Sequence, residues 1–267
     1  MSGGRAEETA LRFDGVTAVY RPLPVARRRR AEVAVLQDLS FTVRAGSFTA
    51  LVGPSGSGKS TVLKLAAGIL RPRTGRIEVC GGPPGARPGE PLRASYMPQR
   101  DSLLPWRTLL ENAVLPLELR GTSGPELEAA RRRARELLPV FGLEGKGEAY
   151  PAQLSGGERQ RAAFLRTVLA GGRLLLLDEP FGALDALTRR QLQLWLAGLR
   201  ERLEATLLLV THDVREAAFL ADEVLVVTGT PIRALQRVPV GDTTLAERRV
   251  LELLGLGESA RAEVGGG

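Results

Sequence analysis

The sequence predicts an α/β fold, a parallel sheet covered by helices on both faces. Two observations predict it. Short apolar strands alternate with helical patterns, and strands buried on both sides read as near-continuous apolar runs. A long helical stretch, from Ser102 to about Gly171, then interrupts the alternation and reads as an inserted helical subdomain.

Taken in order, "LRFDGVTAVY" (11–20) and "AVLQDLSFTV" (34–43) mix β-branched and aromatic residues with polar ones and read as strands. Between them "RPLPVARRRRAE" carries Arg27 to Arg30, either a solvated loop or a basic patch. "SFTALV" (47–52) is a short apolar strand. "GPSGSGKS" (53–60) follows it, then the helical pattern "TVLKLAAGIL", and "TGRIEV" resumes as strand. Within the helical stretch, Ser123-Gly-Pro-Glu126 fits a capping box before "LEAARRRARELL". "RLLLLDEP" (173–180) is a buried strand ending in carboxylates, and "ALTRRQLQLWLAGLRERL" is an amphipathic helix. "TLLLVTHD" (206–213) is another buried strand, Asp213 to Glu216 open a helix, and "DEVLVV" (222–227) reads as strand. Beyond Pro231 the pattern is a weak helix and a Gly-rich end, expected to be frayed.

Composition sets the limits. A chain of 267 residues, 43% hydrophobic and 25% charged, suits one large core with room for a subdomain and excludes collagenous and disordered classes. Basic residues number 37 against 30 acidic, a net charge of +7. That excess fits a biased composition, anionic phosphates or a membrane surface. The one cysteine, Cys80, forms no internal disulfide. "MSGGRAEETALRF" lacks the basic and apolar regions of a signal peptide, and no apolar run approaches the ~20 residues that cross a bilayer. Any membrane association is expected to go through a partner.

Gly53-Pro54-Ser55-Gly56-Ser57-Gly58-Lys59-Ser60 fits the P-loop pattern G-x-x-x-x-G-K-[ST] without a mismatch, between the strand and the helix that the motif requires. The glycines let backbone N–H groups turn inward around phosphate oxygens, and the helix adds its positive end. Lys59 is expected to reach the β- and γ-phosphates, the Ser60 hydroxyl to ligate Mg²⁺, and Thr61 to stand with them in the first helical turn. Downstream, an apolar strand delivers Asp178 and Glu179 at its C-terminal edge, where α/β sheets bind ligands. Asp178 would hold Mg²⁺, directly or through water. Its neighbour Glu179 would accept a proton from the attacking water.

"LSGGERQR" (154–161) narrows the reading. With the P-loop and "LLLLDEP" it resembles the ATP-binding subunits of ABC transporters, over roughly residues 10–230. The resemblance implies a P-loop NTPase (RecA-like) core with an antiparallel β subdomain and a helical subdomain at about 102–171; a tail, partly disordered, would occupy 231–267. It implies ATP and Mg²⁺ as cofactors and a head-to-tail dimer with a second copy of the chain. Ser155, Gly156 and Gly157 of one copy would face the γ-phosphate held by Lys59 of the other, and Gln160 would help from across the interface. By the same resemblance Gln99 is the glutamine that senses Mg²⁺ and the attacking water, and "GALD" (182–185) places Asp185 near the dimer axis. His212, the one histidine, matches the residue that the resemblance implies would contact the γ-phosphate. Tyr20 is the candidate for stacking on adenine; a packed strand-end aromatic is the alternative.

"LLPWRTLLEN" (103–112) looks like the segment that follows this glutamine in ATPases of nitrate, sulfonate and taurine importers. Leu103, Leu104 and Trp106 then read as partly awaiting a coupling helix of a membrane subunit, or else as core. The resemblance implies an ATP-hydrolysing motor for such an importer, peripheral on the cytoplasmic face of the membrane. Its partners would be transmembrane permease subunits and, indirectly, an extracytoplasmic solute-binding protein, with no nucleic acid. The competing readings are a soluble ABC-type ATPase of DNA repair or translation, and an unrelated P-loop GTPase or kinase. The first usually carries a long coiled coil, zinc-binding cysteines or two cassettes, none of which this sequence shows, and the second lacks its Asn-Lys-x-Asp motif here.

Overall fold

A computed structural model describes residues 9–20, 32–85, 90–200, 202–203 and 205–256. Its centre is a six-stranded sheet ordered β5(Ala94–Met97), β6(Leu174–Asp178), β7(Thr206–Thr211), β3(Phe48–Val52), β8(Glu223–Val227), β9(Leu235–Pro239). The first five strands run parallel and β9 pairs antiparallel to β8. A separate antiparallel sheet holds β2(Val33–Arg44), β1(Thr9–Tyr20) and β4(Thr74–Val79) in that order.

Alternation along the central strands divides the core in two. Leu175 and Leu177, Leu207 and Leu209, and Val224 and Val226 face one cluster. Their neighbours Leu174 and Leu176, Leu208 and Val210, and Leu225 and Val227 face the other. The second cluster also takes α1(Lys59–Ala66) through Val62, Leu63 and Leu65, and the antiparallel sheet through Leu11, Phe13, Leu36 and Leu39. The sheet is therefore the middle layer, which explains why its inner strands β3, β6, β7 and β8 are buried almost throughout, while the edge strand β9 keeps exposed polar residues. Each such leucine, wholly buried, contributes roughly 1.5–3 kcal/mol.

The first cluster is covered by α5(Ala186–Arg200), α6(Val214–Leu220) and the helical subdomain: α2(Leu109–Leu119), α3(Gly124–Leu137) and α4(Gly156–Leu169). Trp195 of α5 stands edge-on to Phe141 and Phe164, with centroids 5.4 and 5.6 Å away, and donates Nε1 to the Val140 carbonyl. That aromatic knot fastens the helical subdomain to the sheet layer.

The structure departs from sequence expectation in several places. The capping box at Ser123 does not form: Gly124 takes φ 57, and the Ser123 hydroxyl caps nothing. Capping boxes form instead at Thr108–Glu111 and Ser155–Glu158. The stretch after Ser102 is not continuously helical, since loops separate α2, α3 and α4. Past Pro231 the chain is not a frayed helix. It adds β9 to the sheet and then α7(Thr243–Leu253), whose Ala246 and Val250 are buried in the first cluster. The sequence understated this segment because only two side chains of the whole of α7, Ala246 and Val250, are buried. The Arg27–Arg30 run and the Gly-rich end lie outside the described residues.

Candidate active site

The P-loop leaves β3 at Val52 and enters α1 at Lys59. Neighbouring valine side chains leave no room for a Cβ at two of its glycines. A Cβ on Gly53 would lie 2.7 Å from Val227 Cβ, and one on Gly58, at φ 107, would lie 2.5 Å from Val35 Cγ1. No side chain caps α1, so its first N–H groups remain directed at the loop. Lys59 is almost fully buried. It folds back to donate to the Gly53 and Pro54 carbonyls at 2.8 and 2.7 Å. Burial pulls its pKa down, against the opposing pull of Glu179 and Asp178. The Ser57 hydroxyl is buried with no hydrogen-bond partner, while Pro54, Ser55 and Gly56 are exposed and Thr61 is half-buried in the first turn.

The two carboxylates end β6 with different surroundings. Asp178 is 4% exposed. Its Oδ1 accepts from Ser60 Oγ and its Oδ2 from Tyr96 Oη, each at 2.8 Å. Glu179 lies one residue on, in the left-handed region at φ 45, its amide still bonded to the Val210 carbonyl at 2.9 Å. That conformation costs a non-glycine residue of order 1 kcal/mol. Glu179 Oε2 accepts from Gln99 Nε2 at 3.2 Å and lies 3.3 Å from His212 Nδ1. Three strand ends, those of β5, β6 and β7, thus converge on one carboxylate. The site is where a parallel sheet places ligands, at the C-terminal edge.

The donor chemistry fits Mg²⁺. A serine hydroxyl and a carboxylate are hard oxygen ligands, and they sit in contact beside a loop shaped for phosphates. Among the described residues no group of three or more His, Cys, Asp or Glu side chains could hold a metal. A cation here would share its coordination with phosphate oxygens, as Mg²⁺ characteristically does.

The remaining predicted residues lie elsewhere. Ser155 caps α4 from an exposed position, and Gly156 and Gly157 open that helix against α5: a Cβ on Gly157 would meet Thr188 Cγ2 at 2.9 Å. No hydrogen bond or ion pair joins residues 53–61 to residues 154–161 among the described residues. Gln160 spends its amide within the chain, on the Pro180 carbonyl. Asp185 is exposed and caps α5, accepting from Thr188 N at 3.0 Å; the Thr188 hydroxyl, then its amide, hold the carboxyl below its ordinary range. Tyr20 ends β1 opposite Val33 and is 60% exposed. Val35, two residues along β2, touches the P-loop at Gly58, so Tyr20 is near the cradle but packs against no core.

The loop after Gln99 divides its apolar residues. Leu103 is buried in the core, Leu104 is half-buried and Trp106 is 71% exposed. Asn112, wholly buried, pins this loop: its Oδ1 accepts from Leu104 N and its Nδ2 donates to the Leu104, Arg107 and Thr108 carbonyls. Arg166 of α4 donates to the Asp101 and Ser102 carbonyls, and Arg159 Nε lies 3.3 Å from Asp101 Oδ2. The signature helix and the Gln99 loop are therefore laced together. Sequence reading missed Tyr96, Asn112 and these arginines, which belong to no short motif.

The ABC transporter family profile matches residues 36–182. The chain belongs to the ABC transporter family. It is 44% identical over 206 residues to the formylaminopyrimidine import ATP-binding protein ThiZ of Halalkalibacterium halodurans, covering 77% of this chain and 78% of that one. It is 43% identical over 211 residues to the taurine import ATP-binding protein TauB of Pseudomonas aeruginosa, covering 78% and 76%. With the aliphatic sulfonates import ATP-binding protein SsuB 1 of Rhodococcus jostii it shares 44% over 211 residues, covering 79% and 80%. Among solved structures, a dimeric ATP-binding cassette, MJ0796, bound to ADP and Pi in a post-hydrolysis state, superposes with a TM-score of 0.70 at 26% identity, covering 87% of this chain and 99% of that one. For this ABC family member, the P-loop NTPase core read from the sequence is the fold observed.

Proposed function

We propose that the chain is the ATP-hydrolysing motor subunit of an ABC importer, with taurine, a sulfonate, nitrate or a related small solute as its cargo class. The observation that carries the reading is the convergence of Lys59, Ser60, Asp178, Glu179, Gln99 and His212 at one sheet edge. The names of the similar proteins, which import taurine, sulfonates and a formylaminopyrimidine, support the cargo class.

In this reading ATP enters over the P-loop, whose backbone N–H groups cradle the phosphates. Lys59 exchanges the Gly53 and Pro54 carbonyls for phosphate oxygens, a better partner for a buried cation. Ser60, Asp178 and Gln99 would hold Mg²⁺, which when bound neutralises charge on the β- and γ-phosphates. Glu179 accepts the proton of the attacking water. Gln99 and His212 already share its Oε2 and so fix that oxygen's direction. Tyr20, on the exposed end of β1, stacks on adenine. Ser155, Gly156 and Gly157 sit apart from the cradle in one chain, so they complete the site of a second copy in a head-to-tail dimer. The helical subdomain, at about 102–171 within an ATPase domain of about 10–230, carries that signature to the partner. Among the described residues no helix is long and apolar enough to cross a membrane. Transmembrane permease subunits, served by an extracytoplasmic binding protein, therefore anchor the motor at the cytoplasmic face.

The test is purification of the chain from native membranes, with mass spectrometry of what accompanies it and an assay of Mg²⁺-dependent ATP hydrolysis. A co-purifying multispanning permease and hydrolysis are expected. A nucleic-acid-processing partner in place of a permease would sink the importer reading.

A further inference from the structure

Asp178 is held by two hydroxyls from different parts of the fold, and only one belongs to a motif. Ser60 comes from α1 and Tyr96 from β5. Tyr96 pairs in register with Leu176, two residues before Asp178 on the adjacent parallel strand. Leu176 and Asp178 share a face of β6, separated by one strand repeat of about 6.6 Å. A tyrosine ring lying along that face against the second core cluster carries its hydroxyl to the Asp178 carboxylate. A phenylalanine would fill the same space without donating, and a serine would not reach.

We propose that Tyr96 is a positioning residue for the metal–nucleotide site, fixing the carboxylate plane of Asp178 through Oδ2 so that Oδ1 stays directed toward Ser60, the side on which the two residues would hold a cation. The inference rests on Asp178 being the metal-binding carboxylate. Ser60 sits on α1, and its hydroxyl would be needed by the cation itself. Tyr96 sits on a strand bonded to β6 itself, so its grip does not depend on the ligand. Three residues further along, Gln99 holds Glu179. The short segment from Tyr96 to Gln99 thus holds both carboxylates, one by each end.

A carboxylate ligand is commonly oriented by a hydrogen bond from outside the coordination sphere, and losing such a bond costs about 10–100-fold in metal affinity. The experiment is electron paramagnetic resonance titration of Mn²⁺ into the chain saturated with a non-hydrolysable ATP analogue, for wild type, Tyr96→Phe and Asp178→Asn. Affinity for the analogue in excess chelator and the thermal midpoint are measured alongside. Tyr96→Phe is expected to weaken Mn²⁺ about tenfold, with metal-free nucleotide affinity and melting unchanged. Unchanged Mn²⁺ affinity in Tyr96→Phe, with a loss in Asp178→Asn, overturns the role of Tyr96 alone. Unchanged affinity in Asp178→Asn overturns the metal assignment beneath it. A parallel fall in metal-free nucleotide affinity and melting temperature makes Tyr96 a packing residue and overturns the proposal.

Discussion

At the scale of single residues, adjacent carboxylates divide their labour through their neighbours. Asp178 is buried between two hydroxyls, while Glu179 turns through a left-handed backbone toward Gln99 and His212. In the proposed mechanism, Glu179→Gln keeps the shape and removes the base. Hydrolysis is expected to fall about 10²–10⁴-fold with ATP affinity retained; rapid turnover by the purified variant would remove Glu179 from that role. Glu216 is a second carboxyl of interest, 4% exposed behind His212. Burial and then the charge of Asp213 push its pKa up to about 8, against hydrogen bonds from Thr211 and Gln193 and the charge of Arg189. Between its ordinary value of 4.5 and about 8, the folded chain holds a proton that the unfolded chain has released. The contribution of Glu216 to stability is therefore full below that window, falls as pH rises through it, and is gone above it. Glu216→Gln should remove this slope and gain a few kcal/mol on the wild type between about pH 5 and pH 8. Urea midpoints with identical pH dependence in the two proteins would contradict it.

At the scale of elements, the loop from Gln99 to Thr108 joins the catalytic edge to the helical subdomain. Asn112 fixes its backbone, Arg166 ties it to α4, and Gln99 bonds Glu179 at the sheet edge, so the loop is a direct physical link between the two. Leu103 anchors it inward while Trp106 projects outward, the arrangement a docking groove requires. Changing Leu104 and Trp106 together to serine is expected to abolish transport in reconstituted vesicles and leave basal ATPase activity within about twofold. Loss of the cooperative melting transition in that variant would make the half-buried Leu104 a packing residue and defeat the docking reading. The sequence reads as helical from Ser102 onward, whereas the chain stays a loop until α2 begins at Leu109. The division between Leu103 and Trp106 was not legible, because it depends on where α2 and α4 pass beneath the loop.

At the scale of the whole molecule, the cradle and the signature occupy separate parts of one chain. Ser155 is exposed at the start of α4, while Lys59 is buried at the start of α1. A nucleotide bound by one chain alone has no partner for the signature. Ser155→Arg should therefore leave ATP binding to the monomer unchanged and abolish ATP-driven dimerisation of the Glu179→Gln background, read by light scattering. The lost cap costs α4 only about 1 kcal/mol, so folding should survive. Undiminished dimers would refute the head-to-tail arrangement. The second core cluster joins the antiparallel sheet to the P-loop helix, and the first joins the helical subdomain to α5 and α6. The P-loop helix and the helical subdomain thus pack on opposite faces of one sheet.

The sequence by itself determined what is local. The P-loop and the carboxylate pair are legible in residue types at the ends of apolar strands, whereas the role of His212 is only what the resemblance carried by residues 154–161 implies. The strand alternation that splits the core in two is local as well. The tertiary structure decided what depends on strand order. β5 lies beside β6 although many residues separate them, and that adjacency alone brings Tyr96 to Asp178 and Gln99 to Glu179. It also gave β9 and α7 a place on the sheet, since a short, weakly amphipathic segment becomes ordered only when a formed edge and a formed core accept it.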